Sequence, residues 1–148
     1  MQPELFIMVG ISGSGKSTFA NGLKTSKSAT IVSTDDIREE LFGDAGVQAD
    51  GGRVFGIARK RVHDLLAQGK NAVIDATSLN AKDRRTWVEI GKANNAKITA
   101  YVVNPSIEKA KLQNQKRTRK VPDFVIDRQF AKFKMPSASE GIDVVVSV

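Results

Sequence analysis

Gly10-Ile11-Ser12-Gly13-Ser14-Gly15-Lys16-Ser17 is the stretch on which the fold turns. It satisfies G-x-x-x-x-G-K-[ST] in full, and four specified positions at ordinary residue frequencies match by chance in well under roughly 1% of chains this long. Before it, residues 5–9 (LFIMV) form an apolar run without polar alternation, the pattern of a strand covered on both faces. After it, residues from Lys16 to about Leu23 suit a helix. Strand, glycine-rich turn and helix together give a phosphate-binding loop. Glycines let the backbone turn tightly enough to aim successive amide N–H groups at anionic oxygens, and the helix adds the positive end of its dipole. Ser12, Gly13, Ser14, Gly15, Lys16, Ser17 and Thr18 are the expected cradle. Lys16 is placed to reach the β- and γ-phosphates of ATP, and the Ser17 hydroxyl to ligate Mg²⁺.

Further along, buried-type runs recur at 29–33, 71–75, 98–103 and 144–148, separated by segments of helical character. Five strands alternating with helices predict an α/β fold with a parallel sheet and right-handed crossovers. Asp36 followed three residues later by Glu39 has capping-box spacing and predicts a helix starting at Asp36. Asn80 with Asp83 repeats that signal ahead of Trp87 and Ile90. Phe55, Ala58, Val62, Leu65 and Leu66 follow a helical period that Gly69 is placed to end. Asn104-Pro105 predicts another start, with proline at the first helical position. The segment 44–52, with three glycines and two aspartates, reads as a mobile loop.

The 148 residues fit one domain, 1–148, large enough to bury roughly 70% of its unfolded surface. Hydrophobic residues at 41% and charged ones at 26% argue against extensive disorder. With no cysteine, a disulfide framework and a thiolate metal site are excluded. No signal segment and no membrane-length apolar run is legible, so a cytoplasmic address is expected. A net charge of +7 and a pI near 9.8 suit a polyanionic partner such as nucleic acid, but equally a basic enzyme that binds only a nucleotide.

Asp35 falls at the carboxyl end of the second predicted strand, the edge of a parallel sheet where ligands bind. With Asp36 and Glu39 accounting for the cap, Asp35 is free to take a proton from an attacking hydroxyl. Arg38, one turn on, can present its guanidinium fork to an acceptor phosphate. Asp75 ends the third strand, where an acidic residue can act on magnesium or its waters, or merely form a turn; Thr77 and Asn80 extend that rim. From 109 to 120 there are six basic residues (Lys109, Lys111, Lys116, Arg117, Arg119, Lys120) and no acidic one. The run is either a solvated helix face or a cationic lid over ATP. His63 reads as a surface residue with no assigned role.

These segments resemble the phage-type polynucleotide 5′-kinases over nearly the whole chain: GISGSGKSTFA, STDDIRE, VIDATSLNAKDRRTW, and 113–130 with KRTRKVPDFVIDRQF. The resemblance implies a P-loop kinase sheet of order 2-3-1-4-5 with a basic lid, and transfer of the ATP γ-phosphate to 5′-hydroxyl ends of DNA or RNA. It also implies Asp35 as general base and Arg38 on the acceptor's 3′-phosphate. A lid arginine on the ATP phosphates counts forward from Asn114 to Arg117, backward from Val121-Pro122 to Lys116, with Arg119 in reserve. There is no D-x-D-G-T segment, so ends are expected to be phosphorylated without removal of 3′-phosphates. Ala76 intervenes between Asp75 and Thr77, unlike the best-known member of that family. The rivals are a P-loop kinase for small hydroxylated metabolites or antibiotics, and a non-catalytic ATP-binding switch.

Overall fold

The apolar run ahead of the glycine-rich turn is a strand, and its alternate side chains enter two different cores. In the computed structural model, which describes residues 2–44 and 50–148, β1 spans Glu4–Val9. Leu5, Ile7 and Val9 pack with Val54, Ala58, Val62 and Leu66 of α3 (Gly51–Ala67) and with Trp87 and Val88 of α4 (Ala81–Ala93). Phe6 and Met8 pack with Ala20 and Leu23 of α1 (Lys16–Ser26) on the other face. That two-sided burial is why the strand carries no polar alternation.

The remaining strands are β2 (Ala29–Ser33), β3 (Asn71–Asp75), β4 (Lys97–Val102) and β5 (Val144–Ser147). All pair in parallel, in the order β2-β3-β1-β4-β5. The sheet order reverses about β1, so the crevice for a ligand opens at the carboxyl ends of β1 and β3, beside the glycine-rich turn. Further helices are α2 (Thr34–Phe42), α5 (Ile107–Gln115) and α6 (Asp123–Lys132).

Several helix starts differ from the sequence expectation. Ser33, not Asp36, caps α2: its side chain accepts the Asp36 N–H at 3.2 Å. Ser33 is the last residue of β2, so its hydroxyl is already placed at the opening turn, and Asp35 and Asp36 both fall in that turn, where the helix dipole favours carboxylates. Helix α5 starts after Ser106, whose hydroxyl accepts the Lys109 N–H at 3.1 Å; Pro105 precedes the cap instead of opening the helix. The loop expected over 44–52 includes 45–49, which lie outside the described residues, while Gly51 and Gly52 belong to α3. Helix α4 does start after Asn80, which accepts the Asp83 N–H at 2.9 Å.

Helix α3 buries Val54, Ala58, Val62 and Leu66, whereas Phe55, expected in the apolar stripe, stands off it. At its end the Gly69 N–H bonds to Leu66 O and the Lys70 N–H to Leu65 O, a Schellman closure with Gly69 at φ 76°. Arg84 of α4 is fully buried and forms a two-pronged pair with Glu140 at 2.8 and 3.1 Å, plus a bond to Ser78 O at 2.9 Å. It ties the loop after β3 to the segment before β5. His63 is exposed, as expected.

Candidate active site

Of the predicted site residues, Ser12, Lys16, Ser17, Asp35, Arg38 and Arg117 line one cleft at the carboxyl edge of the sheet, whereas Thr18 lines a separate groove with Phe19 and Leu23. In the turn between β1 and α1, Gly13 and Gly15 adopt φ 79° and 96°. A Cβ on Gly13 would stand 2.2 Å from the carbonyl oxygen of Ala110, so α5 packs directly onto the loop and only glycine fits. Gly15 is the N-cap of α1 and supplies no side-chain bond to the first turn. The opening N–H groups of α1 are therefore left to an anion.

Lys16 is buried. Its burial pushes the ammonium below the ordinary lysine pKa; Asp75 and then Asp35 work against that shift, and Arg117 adds to it. The three residues that act on Lys16 electrostatically thus come from β3, α2 and the α5–α6 connection. Next along α1, the Ser17 hydroxyl donates to Asp75 Oδ2 at 2.8 Å. The extra Ala76 does not move Asp75 away from the loop; downstream, Thr77 O accepts the Gly10 N–H at 3.1 Å. A hydroxyl beside a carboxylate is a hard oxygen pair that fits Mg²⁺, a cation that completes its shell with phosphate oxygens and water. Among the described residues no cluster of three acidic, histidine or cysteine ligands offers an alternative metal centre.

A cleft of about 580 Å³ opens over these groups and is lined by Lys16, Ser17 and Asp75 as well as by Asp35 and Arg38 of α2. Asp35 is 48% exposed, while Arg38 is only 12% exposed and approaches Asp35 Oδ1 at 3.5 Å. The Nε of Arg38 is buried without a hydrogen-bond partner, so the guanidinium meets the cleft only through its outer edge. Asp36, by contrast, is held by Arg119 at 2.8 Å.

The basic run splits by structure. Lys109 and Lys111 lie in α5, and Lys111 pairs with Asp127 of α6 at 2.8 Å. Residues 116–120 form the connection from α5 to α6, closed at its base by buried Asn114, which donates to Val121 O at 2.7 Å and accepts the Val121 N–H at 3.1 Å. Within it Arg117, Arg119 and Lys120 line the cleft and Lys116 does not. Arg119 reaches across to Asp36 and Glu39, so the Asp36/Glu39 spacing serves as a same-face grip on the α5–α6 connection and not as a cap. These pairs are exposed and each contributes about 0–1 kcal/mol.

Gln129 escaped the sequence reading. Its Oε1 accepts the Ser12 N–H at 2.8 Å and its Nε2 donates to Ser12 Oγ at 3.1 Å, clamping α6 to the phosphate loop. Its partner lies 117 positions away, and no local pattern announces such a contact.

A family model described as an AAA domain matches residues 5–136, and the chain belongs to that family. Its sheet and phosphate loop are those of a P-loop kinase. Within that class it resembles polynucleotide kinases. It is 29% identical over 146 residues to a provisionally named bifunctional polynucleotide kinase/RNA ligase of Autographa californica nuclear polyhedrosis virus, covering 88% of this chain and 21% of that protein. It is 23% identical over 150 residues to a bifunctional polynucleotide phosphatase/kinase of Schizosaccharomyces pombe, covering 98% of this chain and 33% of that one. A solved chain in the Pnkp1/Rnl/Hen1 RNA repair complex superposes with TM-score 0.77 at 28% identity, over 88% of this chain and 44% of that chain. The chain thus spans about a fifth to a third of the curated relatives' length. These likenesses support an ATP-dependent phosphotransferase. Among the described residues no helix is long and apolar enough to cross a membrane.

Proposed function

We propose that the chain transfers the γ-phosphoryl group of ATP to 5′-hydroxyl ends of DNA or RNA. The carrying observation is that a single cleft joins two half-sites, the Lys16–Ser17 turn and the Asp35–Arg38 turn of α2. In this reading the amides from Ser12 to Thr18 hold the donor phosphates. Asp35 accepts the proton of the attacking hydroxyl as its oxygen bonds to the γ-phosphorus, and the bond from that phosphorus to the β–γ bridging oxygen breaks, releasing ADP. Lys16 and Arg117 stabilise the charge spread over the transferring group. Arg38, which lines the cleft beside Asp35, grips the phosphate on the 3′ side of the reacting nucleotide through its guanidinium. Ser17 and Asp75 would hold Mg²⁺, which when bound supplies charge neutralisation at the phosphate oxygens.

Asp35 is preferred to Asp36 as base because Asp35 lines the cleft and Asp36 is engaged by Arg119. The polynucleotide acceptor is supported by the named activities of the relatives and by the net charge of +7. Incubation with γ-³²P-ATP and a 5′-hydroxyl oligonucleotide tests the reading: label is expected on the strand, increasing with 5′-hydroxyl ends and absent when ends are already phosphorylated. ATP consumption driven only by a small alcohol, with oligonucleotides unlabelled, would leave a P-loop kinase and remove the polynucleotide acceptor.

A further inference from the structure

Phe55 is a large apolar side chain in a polar cleft, and among the described residues it lies outside the core. On α3 the buried positions are Val54, Ala58, Val62 and Leu66, spaced at whole turns, and Phe55 belongs to none of the core clusters. It lines the same cleft as Asp35 and Arg38 and keeps 36% of its surface exposed. The Arg38 guanidinium carbon lies over its ring, 5.9 Å from the centroid. An exposed ring among charged groups gains nothing from water, but it offers a flat apolar wall to a ligand that is itself planar.

The three side chains together describe a ligand: a hydroxyl for Asp35, an anionic group for the Arg38 guanidinium, and an aromatic or heteroaromatic plane for Phe55. A nucleotide bearing a free 5′-hydroxyl and a 3′-phosphate has all three. We propose that Phe55 is the stacking platform for the nucleobase of the nucleotide that is phosphorylated; the inference rests on the polynucleotide reading above and names a residue that reads the acceptor. Stacking uses the π-face that every base presents, so a phenyl ring, which has no hydrogen-bonding group, selects for the presence of a base and not for its identity. The same ring steadies Arg38 from one side, so base and phosphate are held by one unit.

The test compares oligonucleotides whose 5′-terminal nucleotide carries a natural base with ones whose terminal nucleotide is abasic, both keeping the 5′-hydroxyl and the 3′-linked phosphate. Stacking on an aromatic side chain is worth about 5- to 150-fold per base. Wild type should therefore show a lower KM for the natural end than for the abasic end by roughly that factor. Phe55→Ala should raise KM for the natural end by about that factor and for the abasic end by far less, the latter reporting only the lost support of Arg38, and leave the KM for ATP unchanged. Phe55→Trp should restore the preference, and its added fluorescence should be quenched by natural ends and not by abasic ones. The platform is overturned if Phe55→Ala weakens both ends equally, which would leave the ring only as a support for Arg38, or if it weakens neither. Wild type that phosphorylates no 5′-hydroxyl end at all overturns the polynucleotide reading itself. Wild type that phosphorylates both ends equally well overturns only the stacking.

Discussion

The two walls of the cleft are built from different materials. The donor wall is mostly backbone: Gly13 and Gly15 at positive φ, the uncapped first turn of α1, and α5 packed so closely that a Cβ on Gly13 would meet the Ala110 carbonyl. Its side chains are buried or bonded, Lys16 beneath the loop and Ser17 on Asp75. The wall proposed for the acceptor is made of side chains of α2 and α3. Asp35 is half exposed, Arg38 reaches the cleft only with the outer edge of its guanidinium, and Phe55 is partly exposed. Phosphates present the same oxygens whatever is attached to them, so amides fixed by tight packing suffice for the donor. An acceptor must be distinguished by its substituents, and that needs side chains with unsatisfied capacity.

The contrast predicts that damage to the donor wall affects every acceptor alike, whereas damage to the acceptor wall depends on the acceptor offered. The largest effect is expected for Lys16→Ala and Ser17→Ala, each lowering kcat by about 10²–10³-fold or more with the fold intact, because each removes charge stabilisation of the transferring group. Steady-state kinetics alongside circular dichroism checks this, and near-normal kcat in a folded variant would break the donor wall as drawn.

Asp35→Asn comes next, with kcat lowered at least about 10²-fold and the KM for ATP little changed. Asp36→Asn in parallel should cost no more than a few fold, since it loosens only the exposed grip on Arg119. If Asp36 proves the more damaging position for chemistry, the base has been placed on the wrong carboxylate.

Arg38→Ala should sharpen the comparison most directly. With a nucleoside 3′-monophosphate as minimal acceptor the loss should be about 10–150-fold, the value of a charge-assisted hydrogen bond of roughly 1.5–3 kcal/mol. With the bare nucleoside, already a poor acceptor, the variant and wild type should be nearly equal. A uniform loss on both would move Arg38 from acceptor recognition to general support of Asp35.

The smallest kinetic effect is expected at the seam between the walls. Gln129→Ala removes both bonds to Ser12 and should lower kcat several fold without changing which acceptor is preferred. A change in acceptor preference would instead place α6 on the acceptor wall.

What the sequence determined by itself was whatever depends on neighbours along the chain. Apolar runs alternating with amphipathic ones announced five strands and their helices, because a parallel strand inside a sheet must be apolar on both faces. The run 144–148, expected to be buried, instead holds the edge strand β5, and Val144, Val145 and Val148 are exposed. The phosphate loop was legible because its glycines, lysine and serine act through local backbone geometry, and Asp35 and Arg38 because both follow β2 within two turns. Capping was misread at Asp36 since D-x-x-E has the same spacing whether it opens a helix or faces one side of it; Ser33, three positions before Asp36, holds the cap, and Asp36 and Glu39 meet Arg119 instead. Tertiary structure alone decided that Ser17 meets Asp75, that Arg117 acts on Lys16 while Lys116 stays outside the cleft, and that Gln129 clamps Ser12. It also turned Phe55 out of the apolar stripe that Val54, Ala58, Val62 and Leu66 form on α3. Each of these contacts joins segments brought together by the order of strands in the sheet, and spacing along a chain carries no record of that order.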